Sequence, residues 1–141
     1  MADIPFLIQE REQRFLESWM RRNSGDLKKL VSRDCVLLFG TTPLEVLDRP
    51  SFLVAVERDF RCLGFRVGEG AVPRIGKTAW FAGSAELEPK LGTRDWKGLG
   101  MMTGVWKIFS WGGWKLIERT ISPVSDDQAL AGGIRRMQMW R

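Results

Sequence analysis

At 141 residues, 44% hydrophobic and 28% charged, the chain is long enough for one domain with a real core, since roughly two-thirds of the unfolded surface is buried at this size. Seven Trp and eight Phe stand against no Tyr and no His, which excludes Ser–His and Cys–His nucleophile pairs, His metal ligands and a Tyr oxyanion donor, leaving acid–base work to Asp, Glu, Lys or Cys. The net charge of +5 would suit an anionic partner, but bases alternate with acids through Glu10, Arg11, Glu12, Arg14 and Glu17, so a nucleic-acid partner is not expected.

Residues 5–23 predict an amphipathic helix, with Ile8, Phe15, Leu16 and Trp19 at helical spacing, Asp3 as N-cap and Pro5 in the first turn. Asn23-Ser24-Gly25 ends it, and Asp26 is read as the cap of a short second helix carrying Leu27, Leu30 and Val31. Asp34, read as an end-cap or helix partner and not as a base, precedes the apolar run Cys35–Phe39, a buried strand bounded by Gly40 to Pro43. Asp48 and Pro50 open a third helix whose stripe of Phe52, Leu53, Val56, Phe60 and Leu63 is expected to run almost to Gly64.

The period then changes from 3.6 to two. Phe65–Val67 reads as a short strand and residues 77–88 as a longer one. Its faces are Thr78, Trp80, Ala82, Ser84 and Glu86 against Ala79, Phe81, Gly83, Ala85 and Leu87. Residues 89–98, with Trp96, read as a polar loop, and Gly98-Leu99-Gly100 as turn chemistry. From Leu99 a strand leads into a hairpin over residues 103–122, turning at Ser110-Trp111-Gly112-Gly113. Strict alternation puts Trp114, Leu116, Glu118 and Thr120 on one face and Lys115, Ile117, Arg119 and Ile121 on the other. Glu118 is therefore expected inside and Arg119 outside. Pro123 ends the last strand.

Helices first and sequential strands afterwards predict an α+β fold with an antiparallel sheet. The chain reads as one domain, 1–141, with a core at about 5–123 and a basic C-terminal tail at 124–141. Cys35 and Cys62 lie far apart, so neither a disulfide nor a zinc site follows, and Cys35 reads as a buried, inert thiol. No phosphate loop, dinucleotide fingerprint, nucleophile elbow or carboxylate metal cluster is present, so no cofactor and no metal are expected. No apolar run approaches the ~20 residues of a membrane span and no leader peptide is visible, so a cytoplasmic location with no membrane partner is expected.

The order helix, short helix, strand, helix, curved sheet resembles the nuclear transport factor 2-like superfamily, in its SnoaL-like and ketosteroid-isomerase-like branch. The residues that carry the resemblance are Trp19 with Ser24-Gly25-Asp26-Leu27, Asp34 to Phe39, Arg49-Pro50-Ser51-Phe52-Leu53, and Thr103-Gly104-Val105-Trp106 followed by Gly113-Trp114-Lys115-Leu116-Ile117 and Ser122. The resemblance implies a cone-shaped, curved antiparallel sheet wrapped around the N-terminal helices, a pocket open at one end, and a homodimer through the outer sheet face. It covers isomerases, cyclases, dehydratases, epoxide hydrolases and non-catalytic modules, so the fold does not choose among them.

Position by position, the known catalytic sets are not reproduced. The base Asp of ketosteroid isomerases falls at Phe39 and their second Asp near Gly104. The His and Asp of SnoaL-type cyclases fall near Glu118 and Thr120, and kinase association domains of the superfamily carry His at both. The resemblance therefore implies a domain binding a small apolar ligand in an aromatic-lined pocket. Trp19, Phe39, Phe52, Val56 and Trp106, core residues first of all, would line it together with Thr120, and Trp96 would be either a lid at its mouth or plain packing. The alternatives are an isomerase, dehydratase or cyclase using Glu118 as its acid–base residue, desolvated beside Trp106 and Trp114, and a structural dimerisation module.

Overall fold

A computed structural model of the chain describes residues 3–40, 43–96 and 98–123; the basic tail lies outside them. Helix α1 (Ile4–Met20) begins where Asp3 accepts a hydrogen bond from the Phe6 backbone N–H at 3.4 Å, with Pro5 in its first turn. Its buried stripe is Ile8, Glu12, Phe15, Leu16 and Trp19. Helix α2 (Ser24–Leu30) is capped by Asn23, not Asp26: the Asn23 side chain accepts from the Asp26 N–H at 3.1 Å. Asp26 is the third residue of the helix, in its first turn, where its charge favours the positive end of the helix.

Strand β1 (Val31–Phe39) is longer than its apolar run, and β2 (Glu45–Asp48) turns back on it. Asp48 then caps α3 (Arg49–Glu57), accepting from the Ser51 N–H at 2.8 Å. The helix stops well short of Gly64. The Arg22 guanidinium, from a residue held at φ 58, donates to the carbonyls of Val56 (3.4 Å), Glu57 and Arg58 (3.0 Å), satisfying groups a helix end leaves open. Phe60 and Leu63 therefore belong to β3 (Phe60–Ala71), whose first residues pair with Leu91 to Pro89 of β5 (Thr78–Leu91). Tertiary pairing overrides the helical spacing there.

Strand β4 (Arg74–Ile75) pairs with the start of β5, and β6 (Arg94–Asp95) folds back on its end around Gly92, at φ 62. The expected polar loop is thus mostly a tight hairpin. Strands β7 (Gly98–Phe109) and β8 (Gly113–Pro123) form the long hairpin, and Gly98 to Gly100 lie inside β7 and not in a turn.

The sheet order is β2-β1-β8-β7-β5-β3, with β4 and β6 attached to β5. All pairings are antiparallel but one: β1 and β8 run parallel. These two strands are joined through the rest of the domain and not by a hairpin, which is what permits a parallel contact. The expected antiparallel sheet is therefore mixed, while the α+β fold stands. The inner face carries Leu37, Ala79, Phe81, Ala85, Leu87, Met102, Trp106 and Leu116, buried with the apolar stripes of the three helices.

Candidate functional site

Five aromatic rings fill one end of the interior. Phe15 stacks on Phe52 (5.7 Å between centroids), Trp19 meets Phe60 (4.8 Å) and Phe52 (5.8 Å), and Phe39 meets Phe60 edge-on (5.8 Å). Each such pair contributes about 0.5–1.5 kcal/mol beyond its burial. The Trp19 indole N–H donates to the Phe60 carbonyl at 3.0 Å, fixing α1 to the first residue of β3. Of the expected pocket residues, Trp19, Phe39 and Phe52 are thus brought together. Trp19, Phe52, Val56 and Trp106 are all at most 1% exposed and belong to the buried core.

The interior also holds charge. Glu12, one turn beyond Ile8 on the buried stripe of α1, forms an ion pair with Arg119 of β8, and both side chains are fully shielded from water. The indole N–H of Trp106 donates to Glu12 Oε1 at 2.7 Å, and Arg119 Nη1 donates to the Thr103 carbonyl at 3.2 Å. The guanidinium carbon lies 4.6 Å from the centre of the Phe15 ring, a cation–π contact. Gly104 makes the room: a Cβ there would stand 2.5 Å from Glu12 Oε1 and 2.7 Å from Arg119 Nη1. Where the resemblance aligns an Asp near Gly104, the carboxylate present comes from α1.

Arg119 is inside because β8 carries a bulge. Val105 pairs with Glu118 but Trp106 pairs with Leu116, so Ile117 has no partner across the ladder. One extra residue inverts the alternation beyond it. Trp114 and Leu116 face inward as expected, but Glu118 is exposed and Arg119 buried, the reverse of the assignment made from strict alternation. Thr120 likewise lies across from Thr103 on the outer face, partly exposed. Trp96 is 37% exposed with the Arg94 guanidinium 5.0 Å from its ring centre. Asp34 is exposed.

The two cysteines are buried and free. Burial pushes the Cys35 thiol up to about 12, against a smaller opposing pull from Arg119, and burial lifts Cys62 to about 11. Neither is poised as a nucleophile. Among the described residues no group of three or more Cys, Asp or Glu could hold a metal. An open groove of about 530 Å3 runs beside α3, lined by Val54, Ala55, Arg58, Asp59, Phe60 and Leu91 among others. Its wall Phe60 touches the rings of Trp19, Phe39 and Phe52.

Glu12 escaped the sequence reading although its signal was present: residues 8, 12, 15, 16 and 19 all fall on one helical face. Arg119 had no such signal, because nothing in its local sequence announces the bulge.

No family model and no curated relative matches the chain. Solved structures do. A nuclear transport factor 2-like protein from Cytophaga hutchinsonii superposes with a TM-score of 0.78 at 16% identity, covering 88% of this chain and 100% of its own. A candidate calcium/calmodulin-dependent kinase II association domain from Exiguobacterium sibiricum gives 0.75 at 15%, covering 90% and 98%. A candidate dehydratase of the same fold from Streptomyces avermitilis gives 0.64 at 18%, covering 84% and 94%. The chain therefore has the nuclear transport factor 2-like fold.

Proposed function

We propose that the domain is a non-catalytic association module that pairs with a second copy of itself through the outer face of its sheet. One observation carries this reading: among the described residues the outer face exposes apolar side chains beside the polar Ser84, Glu86, Lys107 and Glu118, while the inner chemistry is closed. An antiparallel sheet with one wet face ordinarily presents polar residues there. Here Val36, Val46, Ala82 and Met101 are exposed on it, with Thr103 opposite Thr120 near its centre. Inside, the carboxylate of Glu12 is held by Arg119 and Trp106 and is out of contact with water. The likeness to a candidate kinase association domain agrees with this reading at the level of the fold. Light scattering on the eluting peak is expected to give a dimer, and Thr103→Arg with Thr120→Arg a folded monomer. A monomeric wild type at micromolar concentration overturns the reading.

A second reading, a site for a small apolar ligand, is supported by the groove beside α3 and the aromatic cluster behind Phe60. An environment-sensitive apolar dye should bind there, and Val54→Lys should abolish the signal. Glu118, the acid–base residue of the enzyme reading, is exposed on the outer face, away from Trp106 and Trp114. A cytoplasmic setting suits the two unpaired cysteines.

A further inference from the structure

Two neighbouring hairpin tips at one end of the sheet present apolar side chains to solvent, backed by cations. The β7–β8 turn raises Trp111, which is 89% exposed, on Gly112 and Gly113 at φ 86 and 70. The β4–β5 turn raises Ile75, 67% exposed, beside Gly76 at φ 60. The tips are adjacent, because the Ile108 N–H donates to the Lys77 carbonyl at 2.9 Å and Thr78 pairs with Lys107. Neither apolar side chain belongs to the core.

The cations lie just behind the two apices. Lys107 and Lys115 pair across the β7–β8 ladder, and the Lys115 ammonium folds against Gly112. Lys107 stands 5.3 Å from the Phe109 ring centre, and Arg74 stands 5.4 Å from that of Trp114. Lys77 closes the second turn, and Arg11 of α1 reaches toward Gly113. Glu10 is the acid beside Arg11. Among the described residues none of these cations has a carboxylate within 4.0 Å, since the ion pair found is Glu12–Arg119.

We propose that these two tips form a docking surface for an anionic lipid bilayer. Apolar apices with Lys and Arg one step behind match a boundary whose interior is apolar and whose headgroups are negative. A Trp at the leading tip suits the interfacial region. Trp111 and Ile75 stand exposed at the tips of turns, whereas single-stranded nucleic acid is held in a basic groove over an aromatic floor. The earlier expectation of no membrane partner came from the lack of a long apolar run, which bears on spanning and not on peripheral contact. The contact does not rest on the pairing proposed above, whose centre lies at Thr103 and Thr120, four residues along β7 from Lys107.

The test is co-sedimentation of the full chain with phosphatidylcholine vesicles made with and without phosphatidylserine. Binding is expected only with phosphatidylserine, weakening with salt and falling at least tenfold in Trp111→Ser and in Lys107→Glu/Lys115→Glu. Trp111 and Lys107 are exposed and Lys115 is partly exposed, so circular dichroism should show the variants folded. No binding at low salt overturns the proposal, as does binding that survives both variants. Capture of a single-stranded oligonucleotide in place of vesicles, with the same sensitivity, would assign the surface to nucleic acid and equally overturn it.

Discussion

Glu12 of α1 and Arg119 of β8 neutralise each other inside the domain, with neither side chain touching water. Such a pair strands a charge when one partner is lost. Glu12→Ala or Arg119→Ala should each cost about 3–5 kcal/mol in urea unfolding at neutral pH. Replacing both, as Glu12→Leu with Arg119→Met, should cost far less than the sum, since no charge is then left unpaired. Simple additivity would show that the two do not act as a unit.

Gly104→Ala puts a methyl where Glu12 and Arg119 meet. Overpacking of that kind costs about 1–3 kcal/mol. The penalty should shrink when Glu12 is already Ala, because the atom that a Cβ would approach most closely is then absent. Equal penalties in both backgrounds would place the strain elsewhere.

Cys35 sets an alkaline limit. Its thiol is raised from 9.0 to about 12 by burial, so the folded state holds its proton more tightly than the unfolded state. The stabilisation is complete below the unfolded value and is lost as pH rises through the folded one. Stability should therefore decline from about pH 9 toward pH 12, and Cys35→Ala should flatten that decline. At neutral pH a thiol reagent should react only as fast as the domain opens.

Asp48 acts on the acid side. Hydrogen bonds from the Ser51 hydroxyl and then its backbone N–H hold the carboxyl below its ordinary value. Its contribution is present above the unfolded carboxylate value, about 3.9, and disappears as pH falls through the lower folded one. Asp48→Asn keeps the cap without the titration. Its stability should vary less than that of wild type below about pH 4; parallel curves would remove Asp48 from the acid response.

The helix starts at Asp3 and Asp48 were legible because capping is local chemistry, and the inner face of β5 was legible because alternation is uninterrupted there. The end of α3 was not, since it depends on Arg22 reaching across from the end of α1 and on β5 claiming Phe60. The parallel contact of β1 with β8 is likewise a property of the assembled sheet. At the candidate site, the aromatic cluster could be read from spacing. The ion pair could not, because half of it depends on one unpaired residue in β8.

That residue, Ile117, also sets how the last strand should be compared with other sequences. Against a relative whose strand is regular, the chain needs a one-position gap at 117. Without it, Glu118 and Thr120 fall in the columns of inward-facing residues, although their own side chains face out. With it, those columns receive Arg119 and Ile121, one cation already neutralised and one hydrocarbon. An ungapped match at this strand would therefore suggest an inward carboxylate at 118 where the folded strand turns that side chain outward.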